Sequence, residues 1–87
     1  MKTLLRVGDS VRIRNDIEMK RNYKMKIDIN VLDSWIGSDM AAPGALVTIR
    51  EINKSGKYKI DSSIYTYTDE MFEPELIQYL YDEYLKN

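Results

Sequence analysis

Eighty-seven residues give room for one domain, spanning 1–87, with a single modest core. The chain has no cysteine and no histidine, which rules out a disulfide framework, a thiol nucleophile, a cysteine zinc site and any Ser-His-Asp or Cys-His catalytic arrangement. The net charge of −1 hides an asymmetry: residues 1–26 carry eight Lys/Arg against three Asp/Glu (+5), and residues 27–87 carry five against eleven (−6).

With so little chemistry available, no enzymatic activity, cofactor or metal is expected. The longest apolar run falls far short of the roughly 20 residues that span a bilayer. The opening "MKTLLRVGD" lacks the apolar core of about 7–15 residues that marks a signal peptide. A cytoplasmic protein without membrane contact is the expectation.

In chain order, "VGDSVRIRND" (7–16) opens on a Gly-Asp turn and alternates Val11 and Ile13 with Arg12 and Arg14, the pattern of a half-buried strand. The basic stretch "IEMKRNYKMKI" (17–27) permits either an irregular strand over "YKMKI" or a basic loop. Between 28 and 45 the chain reads as a connection. Asp28 or Asn30 caps a short helical turn there, Val31, Leu32, Trp35 and Ile36 supply its apolar residues, and Gly37 stops it. Met40 is expected as a plug and Pro43-Gly44 as a turn.

"ALVTIREI" (45–52) is the clearest strand, with Val47 and Ile49 on one face. "NKSG" (53–56) is a hairpin turn in which Gly56 supplies the positive φ. It is followed by "KYKID" (57–61) and a last strand "SSIYTYT" (62–68). The tail predicts one helix, 74–86: Pro74 suits its first position, and Leu76, Ile77, Leu80, Tyr81, Tyr84 and Leu85 form an apolar stripe. Glu73 and Glu75 at one end and Lys86 at the other match the helix dipole. A mainly β protein with a C-terminal α-helix follows, with four to five strands arranged as a small SH3-like β-barrel.

The segments "VGDSVRIRND", "DMAAPGALVTIREI", "YKI" and "YTYTDEMFEP" resemble small SH3-like proteins of bacteriophages and prophages, chiefly of Gram-positive hosts. The resemblance covers about residues 7–75. Its Thr-Asp-Glu-Met-Phe-Glu close is specific, whereas its Val-Gly-Asp start is common to many small barrels. The chain departs from the usual pattern at Tyr67, where a Trp is usual. It departs again over 17–37, usually a short Gly-rich loop, which here is basic and carries Trp35. The resemblance implies a barrel fold and a mobile-element setting, in which small proteins often inhibit bacterial defence systems such as CRISPR. It implies no catalytic or binding residues.

Four groups of residues are candidates for function. Asp69 and Glu70, with Glu73 and Glu75 nearby, make a poor catalytic pair, because nothing in the sequence separates their pKa values. They read as the start of a helical turn capped by Thr68, with Met71 and Phe72 as a plug. Trp35, Tyr58, Tyr65 and Tyr67 could assemble an aromatic platform. Arg12, Arg14, Lys20, Arg21, Lys24 and Lys26, interleaved with Tyr23, could follow phosphates. Leu80, Tyr81 and Tyr84 on the terminal helix suit an interface with a second copy or with a target protein.

These features lead to the expectation of a non-enzymatic phage-type binding protein that occupies a host protein and blocks it sterically, using Trp35, Tyr65, Tyr67, Leu80, Tyr81 and Tyr84. The alternatives are a nucleic-acid-binding accessory protein acting through 12–26, or an oligomer that sequesters a small molecule between protomers.

Overall fold

A computed structural model describes residues 3–36, 42–61 and 63–87. The expected stop at Gly37 and plug at Met40 fall outside the described residues. The elements are β1 (Ser10–Arg12), β2 (Asn22–Met25), β3 (Asp28–Ser34), β4 (Leu46–Ile52), β5 (Tyr58–Ile60), β6 (Thr66–Tyr67), a 3-10 turn (Asp69–Met71) and α1 (Pro74–Lys86). The protein is mainly β, with a four-stranded antiparallel sheet in the order β1-β4-β5-β6, a separate β2-β3 hairpin and the C-terminal helix. Six strands stand where four to five were expected, and the two sheets do not close into a continuous barrel among the described residues.

The alternating pattern does in the structure what it predicts. Val11 and Val47 are register partners and both are buried, as are Ile49 and Ile60 on the next pair. Between Ile49 and Glu51 the β4–β5 register slips by one residue, leaving Arg50 without a partner in a bulge. The following turn has Gly56 at φ 89° as expected. A side chain also organises it: Asn53 Oδ1 accepts the backbone N–H of Ser55 and of Lys57, both at 3.0 Å.

The close of the chain folds back on its start. Ile13 bridges Phe72, with Arg14 N–H donating to the Met71 carbonyl (3.0 Å) and Glu73 N–H to the Arg12 carbonyl (3.1 Å). Phe72 thereby reaches the middle of the core, 6.1 Å from the Tyr58 ring edge-on and 6.1 Å from the stacked Tyr67 ring. Met71 and Phe72 are fully buried, the plug that their position before Pro74 predicted. The helix begins at Pro74 and ends at Lys86, as its stripe predicts. Ile77 is buried and Leu76 and Leu80 pack against the core cluster.

Three expectations need correction. Residues 28–34 form a strand, not a helical turn. Tyr23 pairs with Asp33 and Lys24 with Leu32, and the backbone of β2 satisfies the segment more fully than an isolated helical turn would. The register then slips, so that Met25 pairs with Asp28 and residues 29–31 bow out. The last strand shrinks from 62–68 to Thr66–Tyr67. Thr68 precedes the 3-10 turn but makes no side-chain cap; its hydroxyl is buried without a hydrogen-bond partner.

Candidate functional site

β2 alternates strictly. Tyr23 and Met25 point into the core, and Asn22 and Lys24 point out. β2 packs against the 3-10 turn, and Glu70 of that turn lines the same hollow as Asn22 and Lys24 of this outward row. A groove results, made of two adjoining hollows that share Lys24 and Glu70. The first, of about 280 Å³, is lined by Lys24, Met25, Lys26, Ile29, Glu70 and Tyr81. The second, of about 160 Å³, is lined by Arg14, Arg21, Asn22, Tyr23, Lys24 and Glu70. The groove therefore unites part of the basic segment with one residue of the terminal helix, two groups that the sequence presents as separate sites.

Most of its cations already have partners. Arg14 Nε lies 2.7 Å from Asp16 Oδ1, and its Nη1 donates to the Glu70 carbonyl at 2.9 Å. The Asp16 hydrogen bond raises the Arg14 pKa against the cost of burial, and Arg14 in turn lowers that of Asp16. Arg21 lies 3.9 Å from Glu18. Lys26 Nζ sits 3.9 Å from Glu70 and 5.4 Å from the centre of the Tyr81 ring. Lys24 is exposed and forms no ion pair with a described residue.

Beneath the groove lies a group that sequence reasoning undervalued. Asp69 is fully buried, 0% exposed. Its Oδ1 accepts the Lys26 N–H at 2.8 Å, tying the β2–β3 turn to the 3-10 turn, while Oδ2 has no partner. Burial pushes the Asp69 carboxyl up to about 6, against the Lys26 amide hydrogen bond. The sequence gives no reason to separate Asp69 from Glu70; the structure separates them by burial. Burial likewise pushes the Tyr58 hydroxyl up to about 12.

Asp33 is the second unforeseen group. Its Oδ2 accepts the Thr66 hydroxyl at 2.6 Å and faces Lys57 Nζ at 3.4 Å, joining the hairpin to the four-stranded sheet. Burial opposes its ionisation, yet the bonds from Thr66 and from the Ser34 N–H, with Lys57, hold its pKa below the usual value. A carboxylate on the inward row of β3 breaks the apolar alternation, which is why the strand reads as a connection.

The predicted site residues scatter. Trp35, Tyr58 and Tyr67 are buried in the core cluster and only Tyr65, which precedes the short strand Thr66–Tyr67, is exposed, so the aromatic platform does not assemble. Tyr23 is buried as well. Its hydroxyl accepts the Glu18 N–H at 2.9 Å, and the Arg14 and Arg21 guanidinium groups lie over its ring at 5.6 and 5.5 Å. Arg12 lies outside the groove, donating to the Gly44 carbonyl and facing Glu73 at 3.9 Å. Lys20 is exposed in a turn with φ 67°. Leu80 packs inward. Tyr81 stacks on Tyr84 with ring centres 6.3 Å apart. Tyr84 also lines a separate hollow of about 240 Å³ with Thr3, Met25, Ile27, Asp28, Ser55 and Gly56.

Among the described residues, no group of three or more acidic side chains is placed to hold a metal ion. Among the described residues, no helix is long and apolar enough to cross a membrane. No family model, curated protein or solved structure matches this chain.

Proposed function

We propose that this is a non-enzymatic binding protein that occupies another protein through the outer side of its β2–β3 hairpin. One observation carries this: Ile29 and Leu32 on β3, and Ile36 just beyond its end, are 65%, 41% and 47% exposed. A half-solvated antiparallel sheet ordinarily turns polar side chains to water. Covering what remains exposed of each in an interface would contribute roughly 1–2 kcal/mol, about half the value of a full burial. The partner sits on the face and not on the β3 edge, because the side chains of Asp28 and Asp33 already accept the N–H groups of Asn30 and Ser34.

The setting follows from the resemblance of "VGDSVRIRND" and "YTYTDEMFEP" to phage and prophage SH3-like proteins. The β1-β4-β5-β6 order and the Ile13–Phe72 bridge are in keeping with such a barrel. The partner is then a protein of the bacterial cytoplasm, plausible targets being components of a defence system, inhibited by steric blockade. A nucleic-acid role is disfavoured by the charge pairing. Of the cations in 12–26 only Lys20 and Lys24 lack an ion pair with a described residue, so the salt slope would be about −2, where phosphate-tracking proteins neutralise about 6–10 phosphates.

Leu32→Asp tests the surface. Tagged wild-type protein should retain a defined partner from host lysate, and Leu32→Asp should lose it with an unchanged melting temperature, since Leu32 stands outside the core cluster. Equal retention by the two proteins would show that the hairpin is not the docking surface.

A further inference from the structure

Resting on the proposed protein-docking hairpin, we infer that the adjoining groove takes an extended partner segment carrying an acidic residue and, two positions along, an aliphatic one. The acidic side chain seats on Lys24 and the aliphatic one on Ile29 and Tyr81.

Charge selects the acidic position. Arg14, Arg21 and Lys26 each face a carboxylate at 2.7, 3.9 and 3.9 Å, and Lys24, which borders both hollows, does not. A single carboxylate placed there gains a cation without displacing an existing pair, and the rim position favours association over bulk affinity. Glu70, which also borders both hollows, acts in the opposite sense. It repels every anion that enters the groove, so a run of acidic residues or a string of phosphates, which meets that repulsion several times, fits worse than one isolated carboxylate held by Lys24.

Spacing selects the aliphatic position. Same-side residues of a strand recur every two positions, about 6.6–6.8 Å apart. A segment lying along the β2 outward row therefore carries its next same-side residue from Lys24 towards Lys26 and the Ile29–Tyr81 end. That end is apolar, with Met25 at its base, and Lys26 is held back against Glu70 and the Tyr81 ring. An aliphatic group covers Ile29, 65% exposed in the free protein. The same hollow offers a second acidic residue nothing that Glu70 has not already taken.

The probes are three dye-labelled synthetic peptides, Glu-x-Leu, Lys-x-Leu and Glu-x-Lys in a common Ser-Gly frame, together with oligothymidine. Anisotropy titrations use wild type, Lys24→Glu and Ile29→Asp. Wild type should bind Glu-x-Leu at least about tenfold tighter than the other two peptides. Lys24→Glu should reverse the order of the Glu-x-Leu and Lys-x-Leu peptides, and oligothymidine should not compete. Failure of Glu-x-Leu to bind at millimolar concentration, equal binding of all three peptides, an unchanged order in Lys24→Glu, or displacement by oligothymidine each overturns the inference. Partner capture separates this from the docking hairpin itself. Loss with Leu32→Asp but not with Lys24→Glu leaves the hairpin as the docking surface and removes the acidic-aliphatic segment. Retention by both removes both.

Discussion

Replacing Asp69 by Asn should stabilise the protein at neutral pH. Asp69 is fully buried, its Oδ2 has no partner, and burial raises its pKa to about 6 from an ordinary 3.8. The folded state therefore holds the proton more tightly than the unfolded state does. The stability this confers is fully present below about pH 3.8 and is lost as the pH rises through about 6. A separation of about 2.2 units corresponds to about 3 kcal/mol, an upper bound on what the ionised carboxylate costs at neutral pH.

Asn keeps an Oδ1 acceptor for the Lys26 amide and carries no charge, although its unpaired Nδ2 costs about 1–2 kcal/mol. The net gain expected at about pH 7.5 is about 1–2 kcal/mol, or roughly 5–15 °C in melting temperature for a domain of this size. The assay is urea and thermal denaturation followed by circular dichroism, for wild type and variant, between about pH 4.5 and 7.5. With no histidine in the chain, no side chain of ordinary pKa titrates near pH 6, so the difference between the two proteins isolates Asp69. If wild-type stability does not fall across this window, or if Asn destabilises the protein at about pH 7.5, the buried carboxylate is satisfied when ionised and the reasoning is wrong.

Asp33→Ala should cost about 2–3 kcal/mol, because it releases the Thr66 hydroxyl and Lys57 together; chemical denaturation measures it. The Asp33 pKa is depressed, so this contribution is present above pH 3.8 and is lost as the pH falls below it, the reverse of Asp69. Phe72→Ala should cost about 3–5 kcal/mol and leave little folded protein at 37 °C, read by the loss of near-UV dichroism. Leu80→Glu should lower the melting temperature by several degrees while Tyr79→Glu leaves it unchanged, since Leu80 packs on the core and Tyr79 is exposed.

The elements whose pattern is local and unambiguous are legible in the amino-acid sequence. β1 and the first half of β4 follow from alternation, α1 from Pro74 and a stripe of period 3.6, and the β4–β5 turn from Asn53 and Gly56. These carry their instructions within a few residues. The segment 28–36 takes its form from long-range contacts. Val31, Leu32, Trp35 and Ile36 fit a helical face, but Val31, Asp33 and Trp35 also fit the inward row of a strand once a carboxylate is allowed there. Pairing with β2 and the contact of Asp33 with Thr66 and Lys57 settle the choice, and both come from residues distant in the chain.

The groove has the same origin. Lys24 and Tyr81 meet because the 3-10 turn lays the end of the chain beside β2, and no local pattern encodes that approach. Burial likewise divides Asp69 from Glu70, two adjacent carboxylates alike in sequence. The backbone direction through the turn sends one into the core and leaves the other at the groove.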